Sequence, residues 1–218
     1  MTAQTMFSLL FQGFVTTLAI FSLTLLGALP LGLFVCYGKK SRISLIRWCV
    51  NTYISIMRGT PLMLQLMVVY FGPNLLFGMS VSSSWRFVAV IIGFVINYAA
   101  YFAEIYRGGI ESIPTGQYEA AEVLGYTKAQ TFLRIILPQM VKRVLPSVTN
   151  EVITLVKDTS LAYVIGVVEI FTRAKQINSA PGGMGLWAFL AAGAIYYLFN
   201  CIVTMVMNHI EKRLSYYQ

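Results

Sequence analysis

The sequence predicts an all-α membrane protein with five transmembrane helices, an outside N-terminus and an inside C-terminus. Hydrophobic residues make up 57% of its 218 residues and charged residues only 11%, whereas an ordinary soluble domain carries about 25% charged residues. The charged residues stand in short clusters between long apolar runs. This pattern excludes a disordered chain, a nucleic-acid-binding tail and a typical cytosolic enzyme.

Five apolar segments are long enough to cross a bilayer, since a helix needs about 20 apolar residues to span about 30 Å of hydrocarbon. They lie at about residues 9–37, 50–76, 86–106, 144–167 and 186–208. No basic residue precedes the first segment, so we expect it to remain as a membrane helix rather than act as a cleaved signal peptide. We expect residues 1–218 to form a single transmembrane domain.

The basic residues predict which side of the membrane each connection faces. With the N-terminus outside, eleven of the sixteen Lys and Arg residues fall in the inside connections and tail, and three fall outside. Cytoplasmic loops are enriched in Lys and Arg, so we expect the chain to be N-out and C-in. The net charge of +8 then favours contact with anionic headgroups of the lipid bilayer rather than with nucleic acid.

The residue types that would support chemistry in this chain are scarce. Its three cysteines form no CxxC pair and His209 is its one histidine, which argues against a metal site. It has no G-x-x-x-x-G-K-[S/T] phosphate loop and no set of Ser/His, His/Glu or paired Asp residues that suits an intramembrane enzyme. We therefore expect a protein that is not an enzyme and holds no cofactor of its own.

The longest inside connection, at about residues 107–143, contains signals for two short helices. Pro114 and Thr115 favour a helix start and Gly125 favours its end. Thr127 and Gln130 fit the S/T-x-x-E/Q capping box that begins a second helix. Because helices shorter than about 12 residues are marginal alone in water, the first one must lie on the lipid interface or dock into a partner protein, and the pattern alone does not choose between them.

Four motifs along the chain, in the order in which one protein family carries them, identify a family resemblance. Glu119-Ala120-Ala121, then Gly125, then Ile135-Ile136-Leu137-Pro138 resembles the EAA loop of the integral membrane permeases of ABC importers. The other motifs resemble the polar amino-acid branch of that family, which takes up His, Glu, Gln, Arg or opines. These motifs are Arg58-Gly59-Thr60-Pro61, the stretch at 98–110, and Lys157-Asp158-Thr159-Ser160-Leu161.

The resemblance implies a type I ABC-importer permease fold with a short cytoplasmic coupling helix. It implies a multi-pass protein of the cell (cytoplasmic) membrane that pairs with an identical or homologous permease chain. It also implies a separate ATP-binding ABC subunit, which holds ATP and Mg, and an extracytoplasmic amino-acid-binding protein. By position in the EAA motif, the ATPase-coupling residues would be Glu119, Ala120, Ala121 and Gly125.

Polar residues inside the apolar segments are the candidates for the substrate path. A charge at the membrane centre costs about 2.5–3.5 kcal/mol on insertion scales, so it usually faces a cavity or another charge. Glu151 is the first candidate, because a buried carboxylate can receive the ammonium group of an amino acid and the family's translocation path runs along this segment. The further candidates are Arg58, Asn97, Lys157 and Asp158. Arg58 could equally extend its charged end to the membrane surface or pair two helices. The adjacent residues Lys157 and Asp158 could instead mark a break at the end of the fourth segment.

A different class of function is also compatible with the sequence. The chain could be a self-contained secondary transporter or channel for small polar solutes. Such a protein would transport alone along an ion gradient, whereas a permease subunit would need its ATPase. The few acidic residues within the segments argue against a proton relay.

Overall fold

The computed structural model describes residues 2–79, 82–182 and 184–214, and within these residues the chain is mainly helical and contains no strand. Short turns, a π-helical turn and a 3₁₀ helix connect nine α-helices in that described part. In chain order the helices α1 to α9 are Ala3–Lys39, Ser44–Gly59, Leu62–Phe77, Ser83–Glu111, Thr115–Val123, Lys128–Thr131, Leu137–Asp158, Ile170–Ser179 and Leu186–Leu214.

The packing of α1 against α4 forms the centre of the molecule. Gly32 of α1 lies so close to α4 that a Cβ atom there would stand 2.8 Å from the Cβ of Phe102. Ala28, one turn earlier, is fully buried, as are Phe94 and Phe102 on α4. Small residues at a spacing of four allow two helices to approach closely, which explains why these two long helices share the main core.

The segment expected at 50–76 is not one helix, which corrects the sequence prediction. It consists of α2 and α3, bent by 113° at the break between them. Pro61 causes the break, because proline lacks a backbone N–H group and disfavours the helical conformation of the residue before it. Thr60 is accordingly extended, with φ −124° and ψ 149°.

The segment expected at 144–167 also differs from one regular helix. Its helix, α7, begins earlier, at Leu137, and ends at Asp158. A 3₁₀ helix, Thr159–Ile165, follows directly. The predicted break at Lys157 and Asp158 is therefore present. Pro138 does not stop the chain from remaining helical, because a π-helical turn, Phe132–Ile136, leads into α7 directly ahead of it.

In the described residues, three helices are long and apolar enough to span a membrane by length and composition, namely α1, α4 from Ser84, and α9. The bent pair of α2 and α3 gives a fourth crossing if it counts as one span. The remaining expected span lies in α7, whose sequence carries several charged residues: Lys142, Arg143, Glu151, Lys157 and Asp158.

Candidate functional site

The short helix α5 has the boundaries that its sequence predicts. It runs from Thr115 to Val123, directly after Pro114. Its C-terminal end is a Schellman motif, in which the N–H of Tyr126 donates to the carbonyl of Ala121 at 3.0 Å and the N–H of Gly125 donates to that of Glu122 at 2.9 Å. Gly125 has a φ of +76°, which glycine adopts without steric strain.

The next turn of the chain is fixed by the capping box that the sequence predicts. The N–H of Gln130 donates to Thr127 Oγ1 at 3.3 Å, and the N–H of Thr127 donates to Gln130 Oε1 at 2.9 Å. Gln139 Nε2 of α7 donates to Gln117 Oε1 of α5 at 3.1 Å. Arg143 of α7 donates to the carbonyl of Ser112. The connection is therefore tied at both ends to α4 and α7.

The expected coupling residues on α5 differ in their exposure to solvent. Glu119 and Ala120 are exposed, whereas Ala121 is 1% exposed. Just beyond them, Val123 is 88% exposed and Leu124 is 73% exposed. The exposed side of α5 and its C-terminal end therefore combine a carboxylate, a small residue and two apolar side chains.

A second feature is an open cleft of about 670 Å³ between the end of α2 and the facing sides of α4 and α7. Its lining includes charges of both signs on these three helices. They are Arg58, Glu104, Arg107, Arg143 and Glu151. The structure thus brings together Arg58 and Glu151, which the sequence singles out from segments far apart in the chain.

Glu104 is the electrostatic centre of this cleft. Its carboxylate pairs with Lys39 at the end of α1, with Arg107 Nη2 at 2.9 Å, and with Arg58 Nη1 at 3.8 Å. Arg107 also pairs with Glu111, one turn further along α4. One carboxylate therefore links α1, α2 and α4.

Arg58 and Glu151 have few protein partners in the cleft. The guanidinium of Arg58 lies over the ring of Tyr101, 5.4 Å from its centroid, and within the described residues it forms no hydrogen bond. In the same part of the chain the Glu151 carboxylate forms neither a hydrogen bond nor an ion pair, although the residue is half-buried. Both groups therefore keep their capacity for polar contacts with a solute.

The other residues proposed for the substrate path lie outside this lining. Asn97 is 4% exposed and donates to the carbonyl of Met57 at 3.1 Å. Asp158 accepts a hydrogen bond from Tyr98 at 2.8 Å, and Lys157 is exposed. The structure therefore gives Asn97 and Asp158 internal partners, and the roles of all three on a path stay predictions.

Sequence reasoning missed Glu104 and Arg107 as functional candidates. One signal was available, because Glu104 and Arg107 are spaced i, i+3 on a helix and therefore face the same side. The two other partners, Lys39 and Arg58, come from different helices, so only the tertiary structure identifies the cluster.

The chain matches the family described as "Binding-protein-dependent transport system inner membrane component" over residues 28–216. It is 36% identical to the arginine transport system permease protein ArtQ of Bacillus subtilis (strain 168), over 94% of this chain and 91% of ArtQ. It is 33% identical to the L-cystine transport system permease protein TcyB of the same organism, over 98% and 90% of the two chains.

Solved structures agree with this assignment. A crystal structure of an amino acid ABC transporter with histidines superposes with a TM-score of 0.85 at 33% identity, covering 94% of each chain. The MetNI methionine ABC transporter, at 18% identity, shares the fold with a TM-score of 0.74 over 99% and 100% of the two chains. The predicted family, the amino-acid permeases of ABC importers, is thereby confirmed. The chain belongs to the family of binding-protein-dependent transport system inner membrane components, the multi-pass permeases of ABC importers in the cell membrane.

Proposed function

We propose that this chain is the membrane-spanning permease subunit of an ATP-driven importer for a polar amino acid. The observation that carries the proposal is the short, exposed helix α5, which is tied by its caps and by Gln117 and Arg143 to the two helices that line the charged cleft. The relatives named for arginine and L-cystine transport support an amino acid as substrate.

The proposed topology has five spans, with the N-terminus outside and the C-terminus inside. The three long apolar helices and the bent pair supply four crossings, and α7 with its 3₁₀ extension supplies the other. Two of the charged residues of α7, Arg143 and Glu151, line the cleft, and charges within a span usually face a cavity or another charge. The basic residues at the end of α1 and in the connection from α4 to α7 then face the cytosol.

The proposed partners are an identical or homologous permease chain, an extracytoplasmic amino-acid-binding protein and a separate ABC subunit that binds ATP and Mg. The ABC subunit docks on α5, where Glu119 and Ala120 face outward. Ala121 is buried on the inner side of α5, and Gly125 provides the left-handed turn that ends the helix. Movement of the docking groove when ATP binds would then move α4 and α7, since ATP acts through its different affinity for the two states.

The proposed substrate contacts follow from the chemistry of an amino-acid zwitterion. Glu151 receives the ammonium group, and Arg58 receives the carboxylate, for which a guanidinium offers paired donors. Asn97 supports the helix break next to Arg58, and Lys157 and Asp158 stand where α7 changes into a 3₁₀ helix. In this proposal the three residues shape the path around the cleft.

Purification and reconstitution test the proposal. The chain should co-purify with an ATP-binding subunit, and the complex in proteoliposomes should import an amino acid only with ATP and the binding protein. Glu119→Lys should abolish coupled uptake, whereas Glu211→Lys, the same charge reversal on α9, should retain it. Uptake by the chain alone along an ion gradient would instead establish a self-contained carrier or channel, and full coupled uptake by Glu119→Lys would remove the role of Glu119.

A further inference from the structure

The cluster around Glu104 combines two tight ion pairs with a loose one. Arg107 approaches the carboxylate with two nitrogens, Nη2 at 2.9 Å and Nε at 3.1 Å, and Lys39 forms a direct hydrogen bond to the other oxygen. Arg58 stands 3.8 Å away and makes no hydrogen bond to it. The Arg58 side chain is also the most exposed of the three, at 45% against 31% and 23%.

We propose that Glu104 is the internal counter-ion of Arg58, which it holds in the cleft and yields to the carboxylate of a bound amino acid. The inference rests on the proposed function and deepens it. Glu104 acts through Arg58 and is therefore a positioning residue rather than a substrate contact.

The loss of Arg58 leaves Glu104 well compensated. A buried or half-buried carboxylate that loses its only partner is strongly destabilised, but Lys39 and Arg107 continue to neutralise Glu104 after Arg58 turns away. The exchange therefore replaces one weak ion pair by another and does not create an unpaired charge. This is the property that a reversible switch requires.

The surroundings of Arg58 hold its guanidinium where an incoming ligand can meet it. The Tyr101 ring lies 5.4 Å below the guanidinium carbon, and a cation–π contact of this kind does not use the N–H donors. Those donors are free to form a paired contact with a planar carboxylate. Glu151 lines the same cleft and forms no ion pair among the described residues, so it suits the opposite end of a zwitterion.

The position of Glu104 also connects the cleft to α5. Glu104 lies two turns before Glu111, the last residue of α4, and α5 begins four residues later at Thr115. A displacement of α5 that moves the end of α4 also moves the Glu104 carboxylate relative to Arg58. Recapture of Arg58 by Glu104 would then favour release of the amino acid.

Equilibrium binding to the purified permease–ATPase complex, without binding protein, tests the inference. The probes are radiolabelled L-arginine, L-glutamine and L-cystine, and the one that the wild-type complex imports is used. Glu104→Gln removes the competitor of the ligand carboxylate, so Kd should fall by about two- to fivefold, the range for a half-exposed ion pair. ATP-driven uptake at saturating binding protein should fall, because release is impaired. Glu111→Gln, which removes another carboxylate that pairs with Arg107, should leave Kd unchanged.

An analogue without the carboxylate separates the proposed role from a structural one. The carboxamide of the same amino acid should bind the wild type and Glu104→Gln equally well, since it carries no charge for Arg58. If Glu104→Gln does not fold, Glu104→Asp is the second variant. It keeps a negative charge near Lys39 and Arg107, and its shorter side chain lengthens the contact with Arg58, which is already 3.8 Å, so it should also lower Kd. An unchanged or higher Kd for the acid, or an equal gain for the carboxamide, overturns the inference. A wild-type complex that imports no amino acid overturns the proposed function itself.

Discussion

Gln65 and Asn97 donate hydrogen bonds to the same backbone oxygen, the carbonyl of Met57, each at 3.1 Å. In a continuous helix this carbonyl would accept from the N–H of the residue four positions later, which is Pro61 and has none. Asn97 Nδ2 also donates to Gln65 Oε1 at 2.9 Å. Two side chains therefore replace the donor that the proline removes and hold the break between α2 and α3.

Replacing Asn97 should accordingly weaken the fold at this break. Asn97→Leu removes one donor from the Met57 carbonyl and another from Gln65, and loss of hydrogen bonds to buried groups costs about 1–3 kcal/mol. The thermal unfolding midpoint of the purified protein in detergent should fall. Asn200→Leu is the matched control, because Asn200 Oδ1 is buried without a hydrogen-bond partner in the described part of the chain. Equal midpoints for the two variants would contradict this account.

Gly125 and Gly116 should respond in opposite ways to the same substitution. Gly125→Ala places a Cβ atom on a residue with φ +76°, which costs an L-residue about 1–2 kcal/mol. Gly116→Ala, within α5 and with no atom within 4 Å of the added Cβ, should stabilise that helix by about 0.5–1 kcal/mol. Stimulation of ATP hydrolysis by substrate-loaded binding protein should fall for Gly125→Ala alone. Similar losses in both variants would show that the left-handed turn has no special importance.

The adjacent alanines of the EAA motif should separate into two phenotypes. Ala121 is 1% exposed, so Ala121→Leu overpacks its site and should cost about 1–3 kcal/mol of stability. Ala120 is exposed, so Ala120→Leu should leave the unfolding midpoint of the isolated chain unchanged and weaken retention of the ATPase on an affinity column. The prediction fails if the isolated Ala121→Leu chain unfolds at the wild-type temperature.

The parts of the fold that were predicted correctly from the sequence depend mostly on neighbouring residues. The start of α5 after Pro114, its end before Gly125 and the Thr127 capping box each depend on residues within one or two turns, and such preferences act through nearby backbone groups. The long apolar segments of α1, α4 and α9 could also be predicted from the sequence, because the thickness of the hydrocarbon layer sets the minimum length of a spanning helix.

The parts that the sequence did not predict depend on distant partners. Pro61 bends the chain by 113°, whereas Pro138 follows a π-helical turn into a continuous helix. A proline shows where a donor is missing but not which groups compensate. Glu104 and Arg58 present the same problem, since their contact joins α4 to α2 across the fold.

Glu169 fixes the connection between α7 and α9. It is fully buried, and its carboxylate accepts hydrogen bonds from the N–H groups of Phe171 and Thr172, each at 2.7 Å, and from the Tyr196 hydroxyl of α9 at 2.8 Å. Glu169→Ala leaves both backbone donors without this acceptor in a partly buried site, and each unsatisfied donor costs up to about 1–3 kcal/mol.

The matched variant Tyr196→Phe removes only the hydroxyl and keeps the aromatic packing. It should cost about 1 kcal/mol, the net value of the hydrogen bond to Glu169, because Thr17 and Thr159, which also contact the hydroxyl, keep other polar partners. Glu169→Ala should therefore lower the thermal unfolding midpoint in detergent at least twice as far. Combining the two variants should add little to Glu169→Ala, because the hydroxyl then has no carboxylate to lose. Full additivity of the two changes would mean that Glu169 and Tyr196 stabilise the protein independently, and that the carboxylate does not join α8 to α9.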